Sequence, residues 1–124
     1  MTAISALTNL ANGDCVPKDG NYQLLEQSRQ TEFGQTLPVS WQISGGRLSS
    51  KFYFDDYIAA VKFTDQIAAL AEQQNHHPRL VLEWGLVTVE IWTHSVGGLA
   101  EGDFVFAAKV VLLHRALEDA ELGA

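Results

Sequence analysis

The chain has 124 residues, 47% hydrophobic and 19% charged, enough for one domain whose core needs no disulfide or metal staples. Eight basic against fifteen acidic residues leave a net charge of −7, which argues against a surface that grips nucleic-acid phosphates or anionic membranes. The single cysteine, Cys15, excludes an internal disulfide framework, no long apolar run suits a membrane span, and the first positive charge falls only at Lys18, so neither a bilayer helix nor a secretory leader is expected and the predicted compartment is the cytoplasm.

Residues 1–21 read as an N-terminal arm, because Asn12-Gly13-Asp14, Pro17 and Asp19-Gly20-Asn21 crowd turn formers together. Residues 22–124 read as one domain. A short helix is predicted from about Tyr22 to Phe33, stopped by Gly34. Val39 to Ile43 and Leu48 to Phe54 alternate apolar with polar residues around Ser44-Gly45-Gly46, which predicts a hairpin. At Asp55-Asp56 the period changes. Tyr57, Ala60, Phe63, Ile67 and Leu70 recur every three or four residues, the pattern of an amphipathic helix of about eighteen residues that Pro78 must end. Leu80 to Trp84 and Val87 to His94 alternate again about Gly85, as two strands. From about Glu101 to Leu117 a last helix is predicted, followed by an acidic tail with Glu118, Asp119 and Glu121.

The order helix, two strands, helix, two strands, helix predicts an α+β fold: a four-stranded antiparallel sheet with three helices packed on one face. Such a sheet leaves a face or an edge to cover. Trp92 and several valines are candidates for an oligomer interface.

Four histidines carry the chemical interest. His114, alone on the last helix, reads as a solvated or helix-terminal residue. His76 and His77 end the long helix, and His94 ends a strand. Imidazoles titrate near neutrality, so these three suit proton transfer. A three-histidine metal site is a second reading, weakened because adjacent side chains diverge in extended backbone. Plain polar residues at element ends are the third. Glu72 lies four residues before His76 and can receive a donor from a histidine or a ligand. Asp103, opening the last helix, is explained by capping and by the helix dipole, and orienting His94 is a second possible role.

The stretch Glu72-x-x-x-His76-His77-Pro78, then Trp84, His94 and Asp103 at fixed intervals, resembles the signature of the pterin-4a-carbinolamine dehydratases. Phe52-x-Phe54-x-x-Tyr57-x-x-Ala60-x-x-Phe63 is similar to that family's aromatic run into its long helix, and Thr93-His94-Ser95-x-Gly97-Gly98-Leu99 to its strand-end loop. Trp41 stands where members often carry a tryptophan. Glu83-Trp84-Gly85 and His94-Ser95 are closer to bacterial members that partner phenylalanine hydroxylase. Two positions depart: Leu80 replaces a frequent aromatic residue, and Ser95 an acid found in some members.

The resemblance implies removal of water from 4a-hydroxytetrahydrobiopterin, or a related pterin, to give quinonoid dihydropterin in tetrahydropterin recycling, with no metal or organic cofactor. It implies His76, His77 and His94 as acid/base residues, Glu72, Asn75, Thr93 and Ser95 as substrate contacts, and Asp103 as the residue orienting His94. It also implies a homodimer or homotetramer, with phenylalanine hydroxylase as a pathway partner; the net charge of −7 argues against a nucleic-acid or membrane partner. The competing expectation is a non-catalytic relative that binds or assembles other proteins, of the type that stabilises a transcription factor's dimerisation domain or assists a carbon-fixing carboxylase. An intact histidine set favours the enzyme.

Overall fold

Alternating side chains build the sheet. The structure, a computed structural model, describes residues 3–123; Met1, Thr2 and Ala124, at the ends of the expected arm and domain, lie outside the described residues. Strands β1 (Gln42–Ser44), β2 (Arg47–Tyr53), β3 (Arg79–Glu83) and β4 (Leu86–Ile91) form one antiparallel sheet in the order β1-β2-β4-β3. The register pairs Leu48 with Ile91, Ser50 with Val89 and Phe52 with Val87, so the period of two sends all six to one face, where they are buried. Leu80 and Leu82 of β3 pair with Val89 and Val87 and extend the same apolar layer. Val87 and Val89 are therefore core residues.

Two long helices cover that face. Helix α3 (Tyr57–Gln74) packs on β3 and β4, and α4 (Glu101–Gly123) on β2. The Asp56 carboxylate accepts the Ala59 N–H at 2.8 Å and starts α3 as an N-cap. Ala60, Phe63, Ile67 and Ala71 form its buried stripe. The helix ends at Asn75, in the left-handed region at φ 49° and ψ 45°, three residues before the proline expected to stop it. Helix α4 runs on past Leu117 through the acidic residues Glu118 and Asp119.

The structure contains four helices where three were expected. The fourth is α1 (Ala3–Ala11), in the arm. Its Leu7, Leu10 and Ala11 share a face that packs on α4. The Lys109 ammonium closes its end by donating to the Ala11 carbonyl at 2.6 Å. Residues 102–108 of α4 are buried on every side, because the sheet lies against one flank and α1 and Cys15 against another. A Cβ on Gly102 would stand 2.0 Å from the Cys15 carbonyl oxygen, so only glycine admits this approach.

Helix α2 (Gln27–Thr36) starts five residues later than predicted and runs through Gly34. Tyr22 to Glu26 are not helical because they are drawn along the loop before α4, where the Leu25 N–H donates to the Leu99 carbonyl at 2.9 Å.

Two outcomes test this packing. Gly102→Ala should cost about 1–3 kcal/mol in urea unfolding, the usual penalty of overpacking against backbone. An unchanged midpoint would contradict the contact between α4 and the arm. Burial pushes the Cys15 thiol up to about 11 from its ordinary 9.0. It should therefore resist iodoacetamide at pH 8 in the native protein and react once unfolded, with rapid native labelling as the contrary result. The neutral thiol is the form that folding favours, so this contribution to stability is complete below pH 9 and disappears as pH rises through about 11.

Candidate functional site

Strand register decides where the expected residues meet. Arg79 pairs with Glu90, and Leu48 with Ile91, so the start of β3, the end of β4 and the start of β2 lie together. The connections leaving them share one end of the sheet: residues 75–78, residues 92–98 and the Gly45-Gly46 turn. His76, His77 and His94 all fall in these connections.

The left-handed turn at Asn75 separates the two adjacent histidines. His76 points inward and is 6% exposed, whereas the His77 side chain is 56% exposed. The His76 Nε2 lies 2.7 Å from Asp103 Oδ1. Asp103 is fully buried in the first turn of α4. Its Oδ2 accepts the Thr93 hydroxyl at 2.8 Å and the Ala100 N–H at 2.9 Å. The Ala100 contact is half of a capping box, since the acid three residues into the helix reaches back to the amide just before it. A carboxylate can only accept, so the His76 Nε2 must carry the proton it donates. Nδ1, the other ring nitrogen, is 3.4 Å from the Tyr22 hydroxyl, and the rings of Tyr22 and Phe106 each stand 5.9 Å from the imidazole. Burial, then the nearby Asp103 charge, raises the Tyr22 pKa above its usual value and keeps this hydroxyl a donor.

His77 pairs with Glu72, Nε2 to Oε2 at 2.5 Å, on the exposed side of the turn. An ion pair this open adds little to stability, yet it aims the ring. His94 is exposed and opens a 3₁₀ turn (His94–Val96), its ring 4.8 Å from that of Trp92. Ser95 is exposed beside it. Thr93 is buried: its hydroxyl goes to Asp103 and its N–H to the Gly98 carbonyl at 2.8 Å.

The expected pairing of Asp103 with His94 does not form. Asp103 sits at the base of the loop, bonded to His76, Thr93 and Ala100, while the 3₁₀ turn carries His94 out to solvent. Among the described residues no three histidine, cysteine or acidic side chains gather in a way that could hold a metal ion. His114 also differs from its reading. It is half-buried against Phe52, Phe54 and Phe63 at 4.9, 5.9 and 5.4 Å. Sequence reasoning missed Tyr22 as a partner of His76, since 54 residues separate them. Trp92 was noticed only as an interface candidate. Its alternation with Ile91 does show which face of the sheet it takes.

The chain is similar to known proteins over most of its length. The family model described as pterin 4 alpha carbinolamine dehydratase matches residues 23–112. A protein of that name from Chlorobium limicola is 54% identical over 112 residues, 87% of this chain and 98% of its own length. One from Rickettsia canadensis is 40% identical over 105 residues, 84% of this chain and 96% of its own length. Among solved structures, a transcriptional coactivator/pterin dehydratase from Brucella melitensis superposes with a TM-score of 0.68 at 32% identity, covering 73% of this chain and 97% of that one. A pterin dehydratase-like protein identified as a RuBisCO assembly factor in the alpha-carboxysome gives a TM-score of 0.50 at 28% identity, covering 59% of this chain and 84% of its own.

Asp103→Asn should destabilise the fold by about 1.5–3 kcal/mol, because the neutral amide gives up the charge-assisted hydrogen bonds and keeps one acceptor oxygen for three donors. Urea denaturation measures it. A loss below about 1 kcal/mol would show that the carboxylate is not the hub described here.

Proposed function

The chain belongs to the pterin 4 alpha carbinolamine dehydratase family, and from that premise we propose that it removes water from a 4a-hydroxytetrahydropterin, either the biopterin or a close relative, by histidine acid/base catalysis. The observation that carries the reading is the division of labour among three imidazoles at one end of the sheet. His76 is buried and fixed by Asp103, while His77 and His94 are exposed on the two connections that Asp103 joins.

The reaction asks for two proton transfers. One group protonates the 4a-hydroxyl so that it leaves as water. Another takes the proton from ring nitrogen N5, and the electron pair released forms the quinonoid double bond. His77, with Glu72 behind it, is assigned to the hydroxyl, and His94 to N5. His76 supports both from beneath by holding its loop. Exposed acceptors at Glu72, Asn75 and Ser95 face the donor-rich pterin edge in this reading, and Thr93 holds the loop that carries His94 and Ser95. The C4a–O bond breaks and the C4a–N5 double bond forms with two proton transfers and no net oxidation, so the reading calls on no metal or organic cofactor. The product is quinonoid dihydropterin, which a reductase must return to the tetrahydro form.

The second reading, a binding or assembly protein on the same fold, is favoured by the Brucella coactivator/dehydratase and the carboxysomal assembly factor among the structural relatives. We also propose a homodimer or homotetramer working in the cytoplasm, with a phenylalanine hydroxylase supplying the substrate. Among the described residues the edges of β1 and β3 are unpaired, and open edges invite partner strands.

The test generates the 4a-hydroxytetrahydropterin in place with a phenylalanine hydroxylase and follows its ultraviolet change. The protein should accelerate dehydration, and His77→Ala or His94→Ala should reduce turnover by about 10² or more without unfolding the chain. A folded protein that gives no acceleration would remove the enzyme reading and leave the binding one. Light scattering should show a particle larger than the monomer, and a clean monomer would contradict the proposed assembly.

A further inference from the structure

We infer that Trp92, clamped by Arg47, is the positioning residue for His94. The inference rests on the reading that His94 handles a substrate proton. The imidazole is exposed at the start of its 3₁₀ turn. Among the described residues its side chain makes one ring contact, hydrogen bond or ion pair, and that is the Trp92 ring at 4.8 Å and 55°. Asp103, which the family resemblance implies as its orienter, is bonded instead to His76, Thr93 and Ala100. A proton-transfer group must still be aimed, since an unconstrained ring spends its time among several rotamers. The indole is what aims it.

Trp92 is itself held. It lies on the outer face of the sheet, one residue past Ile91, which points inward. The Arg47 guanidinium stacks 4.1 Å over the indole, a cation–π contact. Arg47 Nη1 is 3.4 Å from Glu90 Oε1, the same oxygen that accepts from Arg79 Nη1 at 2.9 Å. A line of contacts thus runs across β3, β4 and β2 and returns through Trp92 to His94. The hairpin turn before Arg47 closes on the same loop: a Cβ on Gly46 would stand 3.7 Å from the Gly98 Cα. The β1–β2 hairpin, which supplies no acid or base, in this way contributes a wall to the site.

The test pairs kinetics with a signal that does not depend on turnover. In full-length protein, the Trp92 ring current should displace the His94 ring-proton resonances in NMR. Trp92→Leu should abolish the displacement and lower kcat about tenfold or more with KM little changed, while Trp92→Phe should recover most of both. Arg47→Gln leaves the indole in place but unclamped, and should reduce both effects in part. A His94 displacement that survives Trp92→Leu overturns the inference, as does a kcat unchanged once the displacement is lost. If the wild-type protein dehydrates no pterin, the reading of the preceding subsection fails and the catalytic half of this inference fails with it. The NMR comparison then still decides, by itself, whether Trp92 holds His94.

Discussion

A carboxylate with no access to water must find donors, and Asp103 finds three. Each comes from a different stretch of chain: the His76 ring from the loop after α3, the Thr93 hydroxyl from the end of β4, and the Ala100 amide from the threshold of α4. Hydrogen bonds to a charged group contribute about 1.5–3 kcal/mol each, and an unpaired buried charge costs more than any one of them supplies. The three segments are therefore locked together or not formed. The position of Asp103 in the first turn of α4 adds the favourable field of the helix dipole. Everything at this end of the sheet, including the exposed imidazoles, takes its place from that knot.

The fold was largely legible because its elements have distinct periods. The alternation expected from Leu48 to Phe54 and from Val87 to His94 matches the register observed as far as Tyr53 and Ile91, where β2 and β4 end, and Ala60, Phe63 and Ile67 lie in the buried stripe of α3. What misled was local chemistry overruled by tertiary contacts. Gly34 was read as a helix stop and lies within α2, because Tyr22 to Glu26 are held to the loop before α4 and the helix starts late. The arm was read through its turn formers, which hid the four-residue spacing of Leu7 and Ala11 just before them. The acidic end of α4 remains helical where a tail was expected.

The residues of the candidate site were legible as a set and not as a network. Spacing identifies His76, His77, His94 and Asp103 but does not say which ring a carboxylate meets. That depends on the direction of two loops, and one left-handed residue, Asn75, decides it by turning His76 in and His77 out. His76 is buried on Asp103, while His77 and His94 stay exposed. The resemblance implied Asp103 as the partner of His94, and the ring that meets His94 is Trp92. The Arg79–Glu90–Arg47 contacts on the sheet end in the guanidinium that stacks on this indole.

The central claim is that Asp103 holds His76 by an Nε2 proton. Heteronuclear NMR of the histidine side chains in ¹⁵N-labelled protein at neutral pH reads it directly. The account predicts a slowly exchanging proton on the His76 Nε2, lost or fast-exchanging in Asp103→Asn. An Nε2 without a proton in the wild-type protein would contradict it, and with it the arrangement by which one buried carboxylate organises the site.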